Sequence, residues 1–507
     1  MVSAVCLPLT IGGTVEQLIE LVGTVDTWVW YVVFVILIGA GVYLTVRTRA
    51  VQWRSIPEMI RVLGDPPGED KDGKKGISSF RAFTVSAAAR VGTGNIAGVA
   101  LAISLGGPGA VFWMWAIAAV GGASAFTESL LGQLYKRTGR HGYYGGPAYY
   151  MTHGLNAKWM GALFAVIITV TYAFVFNSVQ SNAIVDSLAG SFSIDLTSSD
   201  SMMFRVIVGL LIVVLTALII FGGVRRISAI TQAVVPIMAI AYVVLGLLVV
   251  VLNITEVPNM VADIVLGAFG IREFAVGGLF GVFMLGMQRG LFSNEAGMGS
   301  APNAGATASI SHPAKQGYVQ SLGVYFDTWL ICSMTAFIVL LSNPEFGDSA
   351  QGAGLTQSAL AAQLGDWAIH FLTVAIFLFA FSSVLGNYFY GEANIMFLTG
   401  SRKAMIVFRV LVLAFVMLGA VAALELVWAM ANVSMAFMVT INLIAIVLLA
   451  PVAIKVLKNY EAQRRRGEEP VFRGSDLPEI TGLDAWDGTD LVTTSMFWTQ
   501  QLKKVKR

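Results

Sequence analysis

The chain has 507 residues, of which 56% are hydrophobic and only 12% are charged, and its mean hydropathy is +0.74. A water-soluble domain of this size does not show such values, so the composition predicts an all-α polytopic membrane protein. A formal net charge of +2, with the basic residues segregated by loop, gives no indication of a nucleic-acid-binding surface, and we set that function aside. Cys6 and Cys332 provide no disulfide framework, and the four histidines are too scattered to predict a metal centre.

Residues 1–27 are predicted to be a leader on the extracellular or periplasmic side. They contain no Lys or Arg and so lack the basic region of a signal peptide, and we expect the first span to remain in the mature protein. Apolar positions from Val15 to Val22 are spaced as in a short amphipathic helix on the membrane surface, and a solvated leader is the alternative. An extra transmembrane helix follows at 28–47.

Apolar runs of about 20 residues predict eleven membrane-spanning helices in all. After the first, we place them at 80–105, 109–135, 159–188, 204–221, 229–252, 273–305, 316–342, 363–398, 402–421 and 424–450. The loops alternate between basic and acidic, and the positive-inside rule puts the basic loops in the cytoplasm. The N-terminus is therefore predicted outside. The tail, 451–507, is predicted to be cytoplasmic, and either solvated or engaged in a regulatory or interfacial contact.

Two of the apolar runs are interrupted by the same short pattern. The segments 90–98 (RVGTGNIAG) and 289–297 (RGLFSNEAG) both read R-x4-N-x-A-G. Without the extra helix, ten spans divide into five and five, at 80–252 and 273–450, and a broken helix opens each half. Because five is odd, the second half enters the membrane from the opposite side. This is the inverted repeat of a secondary transporter, with its site near the membrane midplane.

A break in a membrane helix leaves backbone amides and carbonyls without partners, which is costly in hydrocarbon. The half-helix that begins near Gly94 directs amides and a positive dipole end at the break, and this suits a carboxylate, with the Thr93 hydroxyl beside it. The half-helix that ends near Val91 leaves carbonyls, which suit a cation. An amino acid together with Na⁺ satisfies both ends. The alternative is that the glycines only allow close helix packing.

Ser382 and Ser383 lie side by side deep in an otherwise apolar span. One serine commonly bonds back to a carbonyl of the preceding turn, but two together provide two oxygens for an ion whose other ligands are carbonyls. Because hydroxyls and carbonyls do not titrate near neutral pH, such a site favours Na⁺ over a proton.

Phe176, Asn177 and Gln180 share one helical face of the span 159–188. Their adjacency makes Gln180 a candidate substrate contact, and the alternative is that the buried amides tie helices together. Ionisable residues at membrane depth are further functional candidates, because a charge in the bilayer is costly. They are Arg90, Glu128, Arg289, Glu295, Asp327 and Glu392. The sequence does not assign their ion pairs.

Two longer motifs carry a resemblance to a known family. The segments 106–115 (GGPGAVFWMW) and 292–302 (FSNEAGMGSAP) are similar to signatures of the alanine or glycine:cation symporter family, also called the sodium:alanine symporters, of the amino acid-polyamine-cation superfamily. The resemblance covers roughly 28–450. It implies a leucine-transporter-type fold of five plus five helices, with broken first and sixth core helices and one extra N-terminal helix.

The resemblance also implies roles for individual residues. The amides of Thr93 and Gly94 would receive the substrate carboxylate, and Phe292 and Gln180 would line the pocket. The full set of predicted substrate contacts is Thr93, Gly94, Asn95, Phe176, Asn177, Gln180, Phe292 and Asn294. The predicted sodium ligands are the carbonyls of Ala88, Val91 and Phe379 and the hydroxyls of Ser382 and Ser383.

Together these features predict a cell-membrane symporter that imports small neutral amino acids, alanine or glycine, with Na⁺ by alternating access. Its expected partners are the amino acid, the co-transported sodium ion and the lipid bilayer, with no obligate protein partner evident. Proton coupling or another solute on the same fold is the first alternative. An ion channel or membrane sensor is the second, although a channel filter usually comes from loops repeated around one axis. An enzyme is not predicted, because the sequence shows no nucleophile–base pair or metal cluster.

Overall fold

The computed structural model describes residues 11–68, 76–139, 142–196, 198, 201–222, 224–271, 278–344, 346 and 352–488. Most of this part of the chain is helical. Its sheet is a two-stranded antiparallel hairpin formed by Arg137–Gly139 (β1) and Gly142–Tyr144 (β2). The prediction of a helical protein is therefore confirmed.

The first half contains the helices before the second broken span. They are Ile11–Arg47 (α1), Val51–Arg54 (α2), Ile56–Leu63 (α3), Ser79–Arg90 (α4), Val99–Gly106 (α5), Gly109–Leu134 (α6), Pro147–His153 (α7), Lys158–Ile168 (α8), Asn177–Phe192 (α9), Ser201–Ile220 (α10), Val224–Leu252 (α11) and Val257–Ala268 (α12). A π-helical turn at Gly94–Gly98 leads into α5, and another at Thr169–Phe176 joins α8 to α9.

The second half begins with the second broken span and ends in the tail. Its helices are Gly278–Asn294 (α13), Ala301–Gly305 (α14), Ala314–Tyr325 (α15), Ser333–Leu340 (α16), Gly352–Leu364 (α17), Trp367–Leu398 (α18), Arg402–Val421 (α19), Leu424–Leu448 (α20) and Ala450–Arg465 (α21). A π-helical turn at Phe326–Cys332 joins α15 to α16, and a single 3-10 turn lies at Gly474–Asp476.

The described residues include nine helical stretches that are long and apolar enough to cross a membrane, and one bent pair brings the number to ten. The two arms of that pair are Ser79–Arg90 and Gly94–Gly106, and the helix axis bends by 54° between them. The remaining predicted span, 273–305, corresponds to α14 and to α13, which has 17 residues, and 272–277 lie outside the described part. The total of eleven spans and the domain bounds built on it stay predictions.

The first broken helix is interrupted where the sequence predicts. It begins with a serine cap, because the Ser78 hydroxyl accepts a hydrogen bond from the Arg81 amide at 3.1 Å. It ends at Arg90, since Val91 has φ −77° and ψ 84°, outside the helical region. Helical structure resumes at Gly94, so carbonyls from one arm and amides from the other meet at residues 91–93.

The second break lies further along its motif than the first. The first begins directly after Arg90, whereas α13 continues through Asn294, five residues beyond Arg289. The expectation that both motifs break at equivalent positions is therefore wrong. Glu295, Gly297 and Gly299 have positive φ values of 57°, 85° and 79°. Glycine adopts this conformation at little cost, which is why the break falls in this glycine-rich stretch.

The N-terminal region is one helix rather than a surface helix followed by a span. α1 runs without interruption from Ile11 to Arg47 and packs against α20 and α6. The amphipathic helix predicted for 1–27 is therefore not a separate element in its described part, 11–27. Its position relative to the membrane stays a prediction.

The tail folds back onto the protein. A single residue, Leu449, separates α20 from α21, and the chain beyond α21 returns to the ends of α6 and α15. Phe472 and Trp486 are 0% and 1% exposed. The expectation of a solvated tail is thus wrong for the described residues up to 488.

Candidate substrate and cation site

The first break is closed by hydrogen bonds from its backbone amides to two side chains. The Gly92 amide donates to Asn95 Oδ1 at 3.0 Å, and the Thr93 amide donates to Gln180 Oε1 at 3.2 Å. The Thr93 side chain is 1% exposed, and its hydroxyl has no hydrogen-bond partner among the described residues. A buried hydroxyl without a partner is costly, so the break offers an unused polar group to a ligand.

The five predicted cation ligands lie in one cluster beside this break. The Ser383 hydroxyl is 2.8 Å from the Ala88 carbonyl, 3.0 Å from that of Phe379 and 3.5 Å from that of Val91. The Ser382 hydroxyl donates to the Phe379 carbonyl at 2.9 Å. The carbonyls of Ala88 and Val91 belong to the end of a helical arm at the break, and carbonyls of this kind can coordinate Na⁺.

No group of three or more His, Cys, Asp or Glu side chains that could hold a metal ion occurs among the described residues. The cage around Ser383 is made of neutral oxygens. It fits a monovalent cation whose hydration shell these oxygens would replace, because a divalent ion usually takes carboxylates as well.

Aromatic rings form a wall on the other side of the break. The ring centroid of Phe292 is 4.7 Å from that of Phe176 and 4.9 Å from that of Trp428. A Cβ atom added to Gly94 would lie 2.6 Å from Cδ1 of Phe292. The space beside the Gly94 backbone is therefore too small for even one methyl group while Phe292 keeps its place, which restricts the size of any ligand there.

Trp428 is a candidate pocket residue that sequence reasoning missed. It stands alone in the last apolar span, where a tryptophan more often packs against lipid or a neighbouring helix. The Arg289 guanidinium lies 4.3 Å above its ring, in a cation–π contact. An arginine within a membrane span, such as Arg289, often contacts an aromatic ring, and this was the available signal. The sequence alone does not show which of the many aromatic residues is the partner.

The side-chain amide groups of three predicted substrate residues contact protein groups. The Asn95 amide group donates to Asp327 Oδ1 at 2.6 Å, and the Asn177 amide group donates to the Ala173 carbonyl at 3.0 Å. Asn294 Oδ1 accepts from the Ala296 amide at 3.0 Å. The structure therefore gathers Thr93, Gly94, Asn95, Gln180, Phe176 and Phe292 around the break. Asn177 and Asn294 each contact local backbone, and Asn177 Oδ1 and Asn294 Nδ2 have no hydrogen-bond partner among the described residues.

Asp327 joins the two broken helices. It lies on the π-helical turn before α16 and is fully buried, and it accepts hydrogen bonds from Asn95 of the first broken helix and from the Ser293 hydroxyl of the second. The Thr335 hydroxyl also donates to the Asn95 carbonyl at 2.7 Å. One carboxylate thus connects the first broken helix to the second.

Glu128 of α6 caps the second break. Its carboxylate accepts hydrogen bonds from the Gly297 amide at 3.2 Å, the Gly299 amide at 2.9 Å and the Asn442 side chain at 2.7 Å. Glu128 is 0% exposed. Its function is therefore to satisfy backbone amides that the break leaves without helical partners.

Arg90 approaches the other carboxylate of this region. Its Nε is 4.0 Å from Glu295 Oε2, and its Nη2 donates to Gln320 Oε1 at 2.8 Å. The Ser300 hydroxyl donates to Glu295 at 2.6 Å. The structure thereby pairs Arg90 with Glu295 rather than with Glu128, an assignment that the sequence left open.

The two broken helices, the carbonyl and hydroxyl cage and the aromatic wall define a secondary transporter of the inverted-repeat class. The family model described as the sodium:alanine symporter family matches residues 15–474, and the chain belongs to this family. It is a multi-pass membrane transporter and not an enzyme.

Similar proteins that are described as amino-acid carriers or symporters support this assignment. The chain is 49% identical to the amino-acid carrier protein AlsT of Bacillus subtilis (strain 168), over 92% of this chain and 97% of that protein. It is 46% identical to the probable sodium/glutamine symporter GlnT of the same organism, over 94% and 98%. It is 34% identical to the sodium/proton-dependent alanine carrier protein of Bacillus sp. (strain PS3), over 80% and 93%. The chain is accordingly an amino-acid:cation symporter.

A solved structure shows the same fold. The crystal structure of MhsT in complex with L-phenylalanine matches with a TM-score of 0.52 at 13% identity, over 75% of this chain and 97% of that chain. An identity this low shows the fold alone. It confirms the leucine-transporter-type architecture expected from the family resemblance.

Proposed function

We propose that this protein imports alanine, glycine or a similarly small neutral amino acid together with Na⁺ by alternating access. The observation that carries the proposal is the first break, where the unpartnered Thr93 hydroxyl and the resuming helix at Gly94 lie next to Phe292. The amides and dipole of the helix start attract a carboxylate. Phe292 packs tightly against Gly94 and is the ring that a bound side chain would meet, so we expect a small side chain to be preferred. Gradient-driven uptake by purified protein in liposomes tests the proposal directly.

The cation cage supports sodium as the coupling ion. Its members come from two elements, the first broken helix with Ala88 and Val91 and α18 with Phe379 and Ser383. An ion bound there draws the two elements together. Because the substrate binds the other face of the same break, each ligand raises the affinity of the other, a reciprocal coupling.

Replacing Ser383 by Ala is expected to raise the Na⁺ concentration for half-maximal uptake about tenfold or more, since loss of one ligand costs roughly 1.4 kcal/mol or more. Ser382→Ala removes the other predicted hydroxyl ligand, which contacts only the Phe379 carbonyl of its own helix, so we expect a smaller increase there. The measurement is initial uptake rate against Na⁺ concentration. No effect of Ser383→Ala would contradict the assignment of the cage.

Proton coupling is the second candidate, and Asp327 is the observation that favours it. A buried carboxylate that contacts both broken helices is a group through which a proton gradient can act. The cage around Ser383 has no titratable ligand, so the proposal assigns the sodium ion to the cage. An Asp327→Asn variant that retains Na⁺-driven uptake but loses its response to a pH gradient would establish proton coupling as well.

The proposed orientation puts the N-terminus outside and the C-terminus in the cytoplasm of the cell membrane. Its support is the alternation of basic and acidic loops, because basic loops remain on the cytoplasmic side. The face that carries α3, the β1–β2 hairpin and α21 is then cytoplasmic. We call it the basic face.

A further inference from the structure

A segment of the tail is built into the basic face. We call residues 469–486 the strap. Its start is fixed to α21 by Gln463, whose side chain donates to the Val471 carbonyl at 2.8 Å and accepts from the Val471 amide at 2.9 Å. Its end is fixed to its beginning, since the Gly474 amide donates to the Trp486 carbonyl at 2.7 Å. The strap is therefore a closed, folded loop.

The first half of the strap packs against the loop 306–313, which follows the second broken helix. The Ser311 hydroxyl donates to the Pro470 carbonyl at 2.6 Å, and the Phe472 amide donates to the Ser311 carbonyl at 2.9 Å. The Phe472 ring lies 5.5 Å from that of His312. Burial lowers the pKa of His312 from 6.5 to about 3, so its ring packs as a neutral group.

The second half of the strap packs against the end of α6. Trp486 Nε1 donates to the Leu134 carbonyl at 3.1 Å, and the Lys136 ammonium lies 4.4 Å above its ring. The Thr138 amide donates to Asp484 Oδ2 at 2.9 Å. Lys136 also donates to the Ala308 carbonyl at 3.3 Å, which connects this contact to the loop 306–313.

A buried ion cluster connects the strap to both halves of the transporter. The Lys315 ammonium of α15 is fully buried and contacts Glu469 of the strap and, at 2.6 Å, Asp65. Arg61 of α3 lies 3.2 Å from Glu469. Withdrawal of one partner from a buried ion cluster is costly, so Glu469 holds the strap against both α3 and α15.

The strap is carried by α21, which extends the last span, but its partners lie on α6, α15 and the loop after the second broken helix. Alternating access moves the helices around the breaks relative to the others. We propose that the strap is a latch that holds the basic face closed in the conformation described here, and that it undocks when this face opens. The inference rests on the proposed function only in requiring alternating access.

The first test is tryptic cleavage after Arg473, an exposed residue next to the fully buried Phe472. Cleavage requires local undocking, so its rate reports the undocked population. Full-length protein in detergent is cut in choline chloride, in NaCl, and in NaCl with alanine, and the fragment beginning at Gly474 is quantified by mass spectrometry. A latch predicts a change of about threefold or more between conditions, because coupling between sites is reciprocal. Equal rates in all three would overturn the proposal.

The second test reports a residue outside the strap. Ser86→Cys places a thiol on the fully buried Ser86 position of α4, whose hydroxyl contacts Gln320 on α15. In this background Trp486→Ala is expected to raise the rate of maleimide labelling roughly threefold or more, since release of the latch raises the population of the open face. Phe472→Ala is the second variant if Trp486→Ala does not fold.

Glu479→Gln is the matched control on the same segment. Glu479 pairs with Lys455 at 3.0 Å, and both side chains are about half exposed, so we expect labelling at the parental rate. Faster tryptic cleavage in Trp486→Ala with unchanged labelling of Ser86→Cys would show a passive cover and overturn the latch. Faster labelling in Trp486→Ala, together with tryptic cleavage that responds to NaCl but not to alanine, would support the latch and contradict alanine as substrate, so the two failures are distinguishable.

Discussion

Replacing Gly94 by Val is expected to abolish amino-acid uptake. The first atom of the new side chain would lie 2.6 Å from Phe292 Cδ1 and 2.8 Å from Cε1, both far inside contact distance. Either the Phe292 ring or the start of the second helical arm must then move, and both line the proposed carboxylate position. We expect uptake to fall about a hundredfold or more, because loss of substrate positioning has effects of this size. The measurement is the initial rate of Na⁺-driven alanine uptake.

Gly39→Val is the matched control for this substitution, since an added Cβ at Gly39 of α1 has no atom within 4 Å. A double variant separates a steric effect from misfolding. Gly94→Ala combined with Phe292→Ala is expected to recover alanine binding relative to Gly94→Ala alone. Unchanged alanine affinity in Gly94→Val would contradict the assignment of the carboxylate to this helix start.

Replacing Glu128 by Leu is expected to destabilise the protein and to stop transport. Its carboxylate satisfies the amides of Gly297 and Gly299 and the side chain of Asn442 in a fully buried position. Each donor left without an acceptor costs about 1–3 kcal/mol, so the total is roughly 3–9 kcal/mol. The prediction is a lower midpoint of thermal unfolding in detergent, together with loss of uptake.

Comparison of Glu128→Gln with Glu128→Leu separates the effect of losing the negative charge from the effect of losing the hydrogen-bond acceptors. Its amide retains one acceptor oxygen and nearly the same volume, so we expect an intermediate midpoint. Glu256→Gln, at an exposed position on the acidic side, is the control for removing a glutamate charge and should unfold at the parental temperature. A parental midpoint in both Glu128 variants would show that the second break does not depend on this cap.

The fold was largely predictable from the sequence because membrane burial imposes strong patterns. Long apolar runs, alternating loop charge and the interruption at Gly92–Gly94 each follow from the cost of polar groups in hydrocarbon. The predicted position of the second break was wrong because the shared motif identifies similar residues but does not show their backbone conformation. Glu295 has a positive φ, and this conformation is uncommon for a non-glycine residue, so its sequence does not predict it.

The positions of the backbone carbonyls in the candidate site could be predicted from the sequence. The hydrogen-bond partners of its side chains were less predictable. The carbonyls of Ala88 and Val91 come to Ser383 because the break ends there and α18 passes beside it. Asn95 has several possible acceptors, and its contact with Asp327 depends on how the π-helical turn Phe326–Cys332 packs. The folded tail was missed for a related reason, since Phe472 and Trp486 lie in a polar stretch without helical or strand periodicity.

The central claim is tested most directly by uptake of labelled alanine into proteoliposomes that contain the purified protein. An inward Na⁺ gradient is compared with K⁺ and H⁺ gradients, and unlabelled glycine, glutamine, leucine and glutamate are added as competitors. The account predicts accumulation only with the Na⁺ gradient, competition by glycine, and none by glutamate. Accumulation driven by the H⁺ gradient alone, or no accumulation of alanine under any gradient, would contradict it.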